Sequence, residues 1–207
     1  MKKIVFLIIT LALAAMALAS CGIIDKVEKA VTYPNTYSIT YEITTAEGLI
    51  HTIKKTVDAT GNIYFKSIDD EKLFINNNGS YTLYKKNTSG EFVAVDGAKY
   101  TRQAVEKELA PFDSYAKKTT DKFIPTARRT GATTVAGRTA DTYKIGVNLL
   151  AVSFHHIYYV DQATGICLGV DVVNKTFGNE TKDNEETFAC VSFITENIEN
   201  LANQIQK

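Results

Sequence analysis

Tryptophan is absent from the 207 residues, and methionine (2), proline (3), cysteine (3) and histidine (3) are scarce. Three histidines leave little material for acid–base or metal chemistry. His155 and His156 are adjacent, so on a strand they point to opposite faces and do not chelate one ion together; His51 stands alone. The chain has no HExxH, CxxC or Asp-rich calcium loop, and no GxSxG elbow or phosphate-cradling glycine loop. The acidic triplet Asp69-Asp70-Glu71 reads as a solvated turn, and Arg128-Arg129 as a solvated loop. A non-enzymatic protein with neither metal nor cofactor is expected. An excess of one charge is also missing: 23 basic residues face 23 acidic ones. With no basic stripe, nucleic acid is not an expected partner.

Long apolar runs are lacking too, except for one at the start. Lys2 and Lys3 precede an apolar stretch, Ile4 to Leu18, interrupted only by Thr10. It is shorter than the roughly 20 residues that span a bilayer, and its charged start, short core and small-residue end have the anatomy of a secretory signal. Its end, Leu18-Ala19-Ser20-Cys21, resembles the lipobox of bacterial lipoproteins. The resemblance implies that Cys21 is diacylated, that the chain is cut before it, and that the mature protein is tethered by two or three acyl chains. Two chains suffice for stable anchoring at about 0.8 kcal/mol per buried methylene. Gly22 follows, where the family's inner-membrane retention signal is an Asp. The resemblance therefore implies an envelope protein, on the outer membrane if the source has two membranes and otherwise on the outer face of the plasma membrane. The expected division is a signal peptide over 1–20, a lipidated N-terminus and spacer over 21–35, and one β-rich domain over 36–207.

Two cysteines remain, Cys167 and Cys190, in neighbouring expected strands. An exporting cell permits a disulfide, and two separately buried thiols are the other reading; the sequence leaves both open.

The aromatic residues are abundant as 11 Tyr and 10 Phe, and many fall on strand patterns. In TYSITYEIT, Tyr37, Ile39, Tyr41 and Ile43 alternate with polar residues, the mark of a half-buried strand. Short β-branched and aromatic runs follow, parted by DATG, NNG and NTSG clusters suited to antiparallel hairpins. Later pairs turn at Ala136-Gly137 and at DQATG, and ETFACVSFI closes the series. VDATGNIYF (57–65) echoes VDQATGICL (160–168), each with an Asp able to bond the backbone ahead of it. One helical interruption occupies 101–118, where Val105, Leu109, Phe112 and Ala116 keep helical spacing. Thr101 is a plausible cap, and Pro111 should kink this helix or begin a second one. At the C-terminus Ile198, Leu201, Ala202 and Ile205 share one face of a short final helix.

Roughly ten strands and so little helix predict an all-β, mainly antiparallel fold, a sheet curled round its own apolar face with the helical segment in the concavity. This pattern resembles the lipoprotein-localisation-factor (LolA/LolB-like) family, in which a strongly curved sheet forms an incomplete barrel plugged by short helices. The resemblance rests on the lipobox, the 36–96 meander, the helix insertion, and the VAGRTADTYKI and YYVDQATGICL hairpins. It implies binding or carriage of a lipid or other hydrophobic ligand; a structural or protein-interaction lipoprotein with a filled core is the alternative. The family motif carries over no individual ligand residue. By alternation and helical spacing alone, the candidates are Tyr37, Ile39, Tyr41, Ile43, Val105, Leu109 and Phe112, each of which ordinary core packing would also explain.

Overall fold

The computed structural model describes residues 30–119, 127–149, 152–177, 179–181 and 185–205. The signal segment and Cys21, the expected lipidation site, lie outside them. The described residues form twelve strands, two helices and one 3-10 turn, so the all-β expectation holds.

Alternation dictates the first half. In β1 (Tyr37–Thr44) the side chains of Tyr37, Ile39, Tyr41 and Ile43 are all buried on one face. β2 (Ile50–Val57), β3 (Ile63–Lys66), β4 (Glu71–Asn77), β5 (Ser80–Lys86) and β6 (Phe92–Thr101) continue as consecutive antiparallel hairpins. A two-residue turn, Asn78-Gly79, joins β4 to β5 with φ of 55° and 90°, a conformation that Asn and Gly adopt at least cost. A second meander comprises β7 (Arg128–Val135), β8 (Arg138–Leu149), β9 (Val152–Asp161) and β10 (Cys167–Thr176). The short β11 (Asn179–Thr181) pairs with β10. Arg128 and Arg129 thus belong to an exposed edge strand rather than a loop, with Arg129 bonded to Asp141 at 2.7 Å.

The last strand, β12 (Thr187–Ile194), lies between β1 and β10 and joins the two meanders, giving the order β6-β5-β4-β3-β2-β1-β12-β10-β9-β8-β7. The apolar face is covered by α1 (Arg102–Glu108) and α2 (Ala110–Ala116). Thr101 accepts a bond from the Ala104 N–H at 3.2 Å and caps α1. Pro111 begins a second helix, sitting in the first turn of α2, where a missing N–H costs little. The expected stripe holds across the break: Val105, Leu109, Phe112 and Ala116 are all buried. Phe112 packs on Tyr41 with centroids 5.3 Å apart, and Tyr41 meets Phe188 edge-on at 5.5 Å. The Tyr41 hydroxyl donates to the Cys167 carbonyl at 2.8 Å, which satisfies the polar tip of a fully buried ring.

The two echoed Asp turns work alike. Asp58 is buried between β2 and β3 and accepts from Thr60 and Asn62. Asp161, between β9 and β10, accepts from Thr164 and takes a two-pronged bond from Arg138 at 2.8 and 2.9 Å. The short C-terminal helix is a single 3-10 turn, Leu201–Gln204, and the Leu201 N–H donates to Asp58 at 2.8 Å. Residues 31–35, expected as spacer, pack on the domain: the Thr32 N–H donates to the Thr164 carbonyl, and Tyr33 stacks on Tyr37 at 5.1 Å.

Candidate functional site

The inward face of β2 carries Ile53, Lys55 and Val57, since alternate residues share a face. A lysine in that row is the anomaly of the concave surface. Lys55 is only 6% exposed. Its ammonium bonds Asp113 of α2 at 3.2 Å, and the rings of Tyr33, Phe112 and Tyr37 lie 4.6, 5.3 and 5.8 Å from it. Burial pulls the lysine below its ordinary pKa and Asp113 restores part of the loss. Burial alone would raise the Asp113 carboxyl, yet Lys55, Lys117 and Tyr33 together hold it below the usual carboxylate range. The Lys117 ammonium donates to Asp113 at 2.8 Å, and the Tyr33 hydroxyl donates to Asp113 at 3.0 Å.

This polar cluster fastens α2 to the sheet. A second pair fastens α1: Lys72 of β4 bonds Glu108 at 2.6 Å and also Asp70. The helices therefore lie as a lid held by apolar side chains beneath and by lysine–carboxylate pairs at its margin.

Beside the lid runs a groove of about 860 Å³, bordered by Tyr37, Val57 and Ile63 on the sheet, Val105 and Leu109 on the helices, and Tyr33 at the chain's entry. Its volume falls within the roughly 300–1,000 Å³ typical of small-molecule sites. The charged lining consists of Lys55, Arg102, Lys107 and Lys117 against Glu106 and Asp113, an excess of two positive charges. A smaller cavity of about 230 Å³ opens by Ile43, Ile53, Ile68 and Tyr115, alongside α2.

The seven sequence candidates divide accordingly. Tyr37, Val105 and Leu109 border the large groove, and Ile43 borders the small cavity. Ile39, Tyr41 and Phe112 are 0% exposed, line neither cavity, and act as core. Lys55, Asp113 and Tyr33 were not legible as a group, because Lys55 looks like a polar-face residue and Tyr33 like spacer; the one available signal was that Lys55 is in phase with Ile53 and Val57.

The cysteines do not form the cross-strand bridge that the sequence allowed. Both are free buried thiols, with Cys167 directed to the Gly169 carbonyl at 3.5 Å and Cys190 to that of Ser192 at 3.4 Å. Burial pushes both thiols up to about 12, which makes them inert as nucleophiles. His156 faces Glu185 at 3.1 Å, while His155 is buried. Asp70 and Glu71 are occupied by lysines, Glu71 by Lys86 at 2.7 Å. Among the described residues no group of three or more His, Cys, Asp or Glu side chains is arranged to hold a metal, and no helix is long and apolar enough to cross a membrane.

No protein-family model matches the chain, and no curated protein matches it. Among solved structures it is similar to MucB in complex with MucA(peri), at 16% identity and a TM-score of 0.36, over 82% of this chain and 53% of that one. The MucA/MucB complex of Pseudomonas aeruginosa gives 15% identity and a TM-score of 0.39, over 82% of this chain and 54% of that one. For MucB alone the values are 16% and 0.38, over 93% and 62%. The chain thus spans between 53% and 62% of the length of these structures.

Proposed function

We propose that the protein is an acylated envelope lipoprotein that holds an apolar or amphipathic ligand in the groove between its two-helix lid and the curved sheet. The observation that carries this reading is the groove itself: about 860 Å³, walled by Val57, Ile63, Val105 and Leu109, with tyrosines at its rim. The lining joins these apolar side chains to the charged Lys55, Arg102, Glu106, Lys107, Asp113 and Lys117, a mixture suited to an amphipathic ligand. Tyr33, Pro34 and Asn35 line this groove, and Tyr33 is twelve positions from Cys21. A chain of that length reaches at most about 40 Å, so acylation at Cys21 would keep the groove close to lipid. The compartment follows from the same anchor: the outer membrane in a two-membrane source, the outer face of the plasma membrane otherwise.

Anchoring and binding are tested separately. Cys21→Ser should abolish metabolic palmitate incorporation and membrane retention; continued labelling would overturn the lipobox reading. For binding, the Cys21→Ser protein recovered from the secreted fraction is weighed by native mass spectrometry and its lipids are extracted. A stoichiometric co-purifying lipid is expected, and Ile63→Glu, at a half-buried position on the groove wall, should lose it while the domain stays folded. A second reading, a protein-binding lipoprotein with a filled core, draws on the complete burial of Ile39, Tyr41 and Phe112 beneath the lid. A clean unliganded mass from several hosts would favour it.

A further inference from the structure

Lys55 is under-supplied with acceptors. An ammonium carries three donors, yet the described residues offer this one a single oxygen, from Asp113 at 3.2 Å. Its other neighbours are aromatic faces, those of Tyr33, Phe112 and Tyr37, which attract a cation but accept no conventional hydrogen bond. Asp113 is in the opposite position. It takes the Lys117 ammonium at 2.8 Å and the Tyr33 hydroxyl at 3.0 Å besides Lys55, and so keeps partners if Lys55 is taken from it.

Both Lys55 and Asp113 line the groove. The rings of Tyr33, Phe112 and Tyr37 stand 4.6, 5.3 and 5.8 Å from the ammonium, and the Asp113 carboxylate marks the one place among the described residues where an anion already meets it. Arg102, Lys107 and Lys117 add positive charge along the same walls, and Glu106 is partly spent on Arg102 at 3.3 Å. The surface beyond is apolar: Val57, Ile63, Val105 and Leu109. A buried, partly satisfied cation beside an apolar trough is complementary to one kind of molecule, an anion joined to an apolar tail.

We propose that the groove takes an amphipath bearing a carboxylate or phosphate head, and that this head displaces Asp113 as the counter-ion of Lys55. The inference rests on the groove reading above and adds the chemical class of the ligand. It also gives the ligand a consequence: the lysine bond that ties α2 to β2 is exchanged for a bond to the head, so occupancy loosens one fastening of the lid while the Lys72–Glu108 fastening of α1 remains.

The test uses the full chain in its own membranes with two photoactivatable probes of equal chain length, an oleic acid and an oleyl alcohol, and peptide mapping restricted to residues around the groove. The acid should reach half-maximal labelling at a concentration about tenfold lower than the alcohol, which corresponds to one charge-assisted contact. Asp113→Asn removes the competing carboxylate and should lower the acid's half-point further, with the alcohol unchanged. Lys55→Met keeps the stem but not the charge and should make acid and alcohol equivalent; Lys55→Arg should retain the preference. Protease resistance of each variant confirms that it is folded. Inorganic phosphate at millimolar concentration should not compete, whereas an anionic phospholipid should. Equal labelling by acid and alcohol, or an Asp113→Asn protein with an unchanged acid half-point, overturns the proposal and leaves the groove reading standing. Full competition by inorganic phosphate overturns it in favour of a simple anion site. No groove labelling by either probe overturns both.

Discussion

Asp58→Ala should destabilise the protein by about 3 kcal/mol, because charge-assisted hydrogen bonds contribute roughly 1.5–3 kcal/mol each and several are lost together. One oxygen of Asp58 accepts from the Thr60 N–H, the Thr60 hydroxyl and the Asn62 N–H, at 2.9, 2.7 and 3.0 Å; the other accepts from the Asn62 amide at 2.9 Å and the Leu201 N–H at 2.8 Å. Asp58, Asn62 and Leu201 are all buried, so alanine leaves the Asn62 and Leu201 N–H groups without this acceptor, while the exposed Thr60 donors can turn to water. Urea denaturation measures the loss. Hydrogen exchange localises it: the Leu201 amide should become fast in the variant, since its acceptor is gone. An unchanged denaturation midpoint would show that the turn is held by its backbone bonds alone. Asp58→Asn separates charge from shape. Burial works to raise the Asp58 carboxyl, but Thr60, Leu201 and Asn62 outweigh it and hold the group below the ordinary aspartate value. A carboxyl depressed in this way contributes its stability fully above the unfolded value of about 3.9, and loses it as pH falls through the lower folded value. Wild type should therefore lose stability below about pH 4, and Asp58→Asn should show a shallower acid limb.

Phe112→Ala should cost about 4 kcal/mol, in the range of phenylalanine truncations in cores. Its ring is completely buried against Tyr41 and lies 5.3 Å from the Lys55 ammonium. The variant removes the main apolar side chain by which α2 grips the sheet, and it takes one of three rings from around the lysine. Thermal unfolding gives the stability loss, and limited proteolysis reports where it falls. Cleavage should appear first within 102–116, the two lid helices, while the β1–β5 meander stays resistant. Simultaneous loss of both regions would show that the lid is an integral part of one cooperative core.

The strand alternation of β1 and the turn at Ala136-Gly137 were readable because they depend on neighbours in the chain: a period of two, and residues suited to a tight reversal. The same holds for the helical stripe, whose Val105, Leu109, Phe112 and Ala116 survive the Pro111 boundary. What could not be read was pairing over distance. ETFACVSFI announces a strand, but nothing within it specifies that it pairs with β1 on one side and β10 on the other. The site suffered similarly. Lys55 is polar by type and buried by position, and only the approach of Asp113 and the Tyr33 ring makes that burial tolerable. Those partners come from the helix and from a stretch that composition assigns to a spacer. Cysteine chemistry was open for the same reason, since adjacent strands do not guarantee that two thiols meet.

The placement of β12 has a consequence in time. Tyr41 pairs with Cys190, so the central ladder cannot form until roughly 150 residues of chain have been brought together. Each meander consists of local hairpins that close in microseconds, whereas the seam between them belongs to the slow, millisecond-to-second class of non-local β pairing. Until the seam forms, β1 and β10 each present a bare edge, the kind of surface that recruits strands from other chains. A protein built this way passes through a vulnerable interval set by arrival of its final strand, and shortening the chain before Thr187 would make that interval permanent.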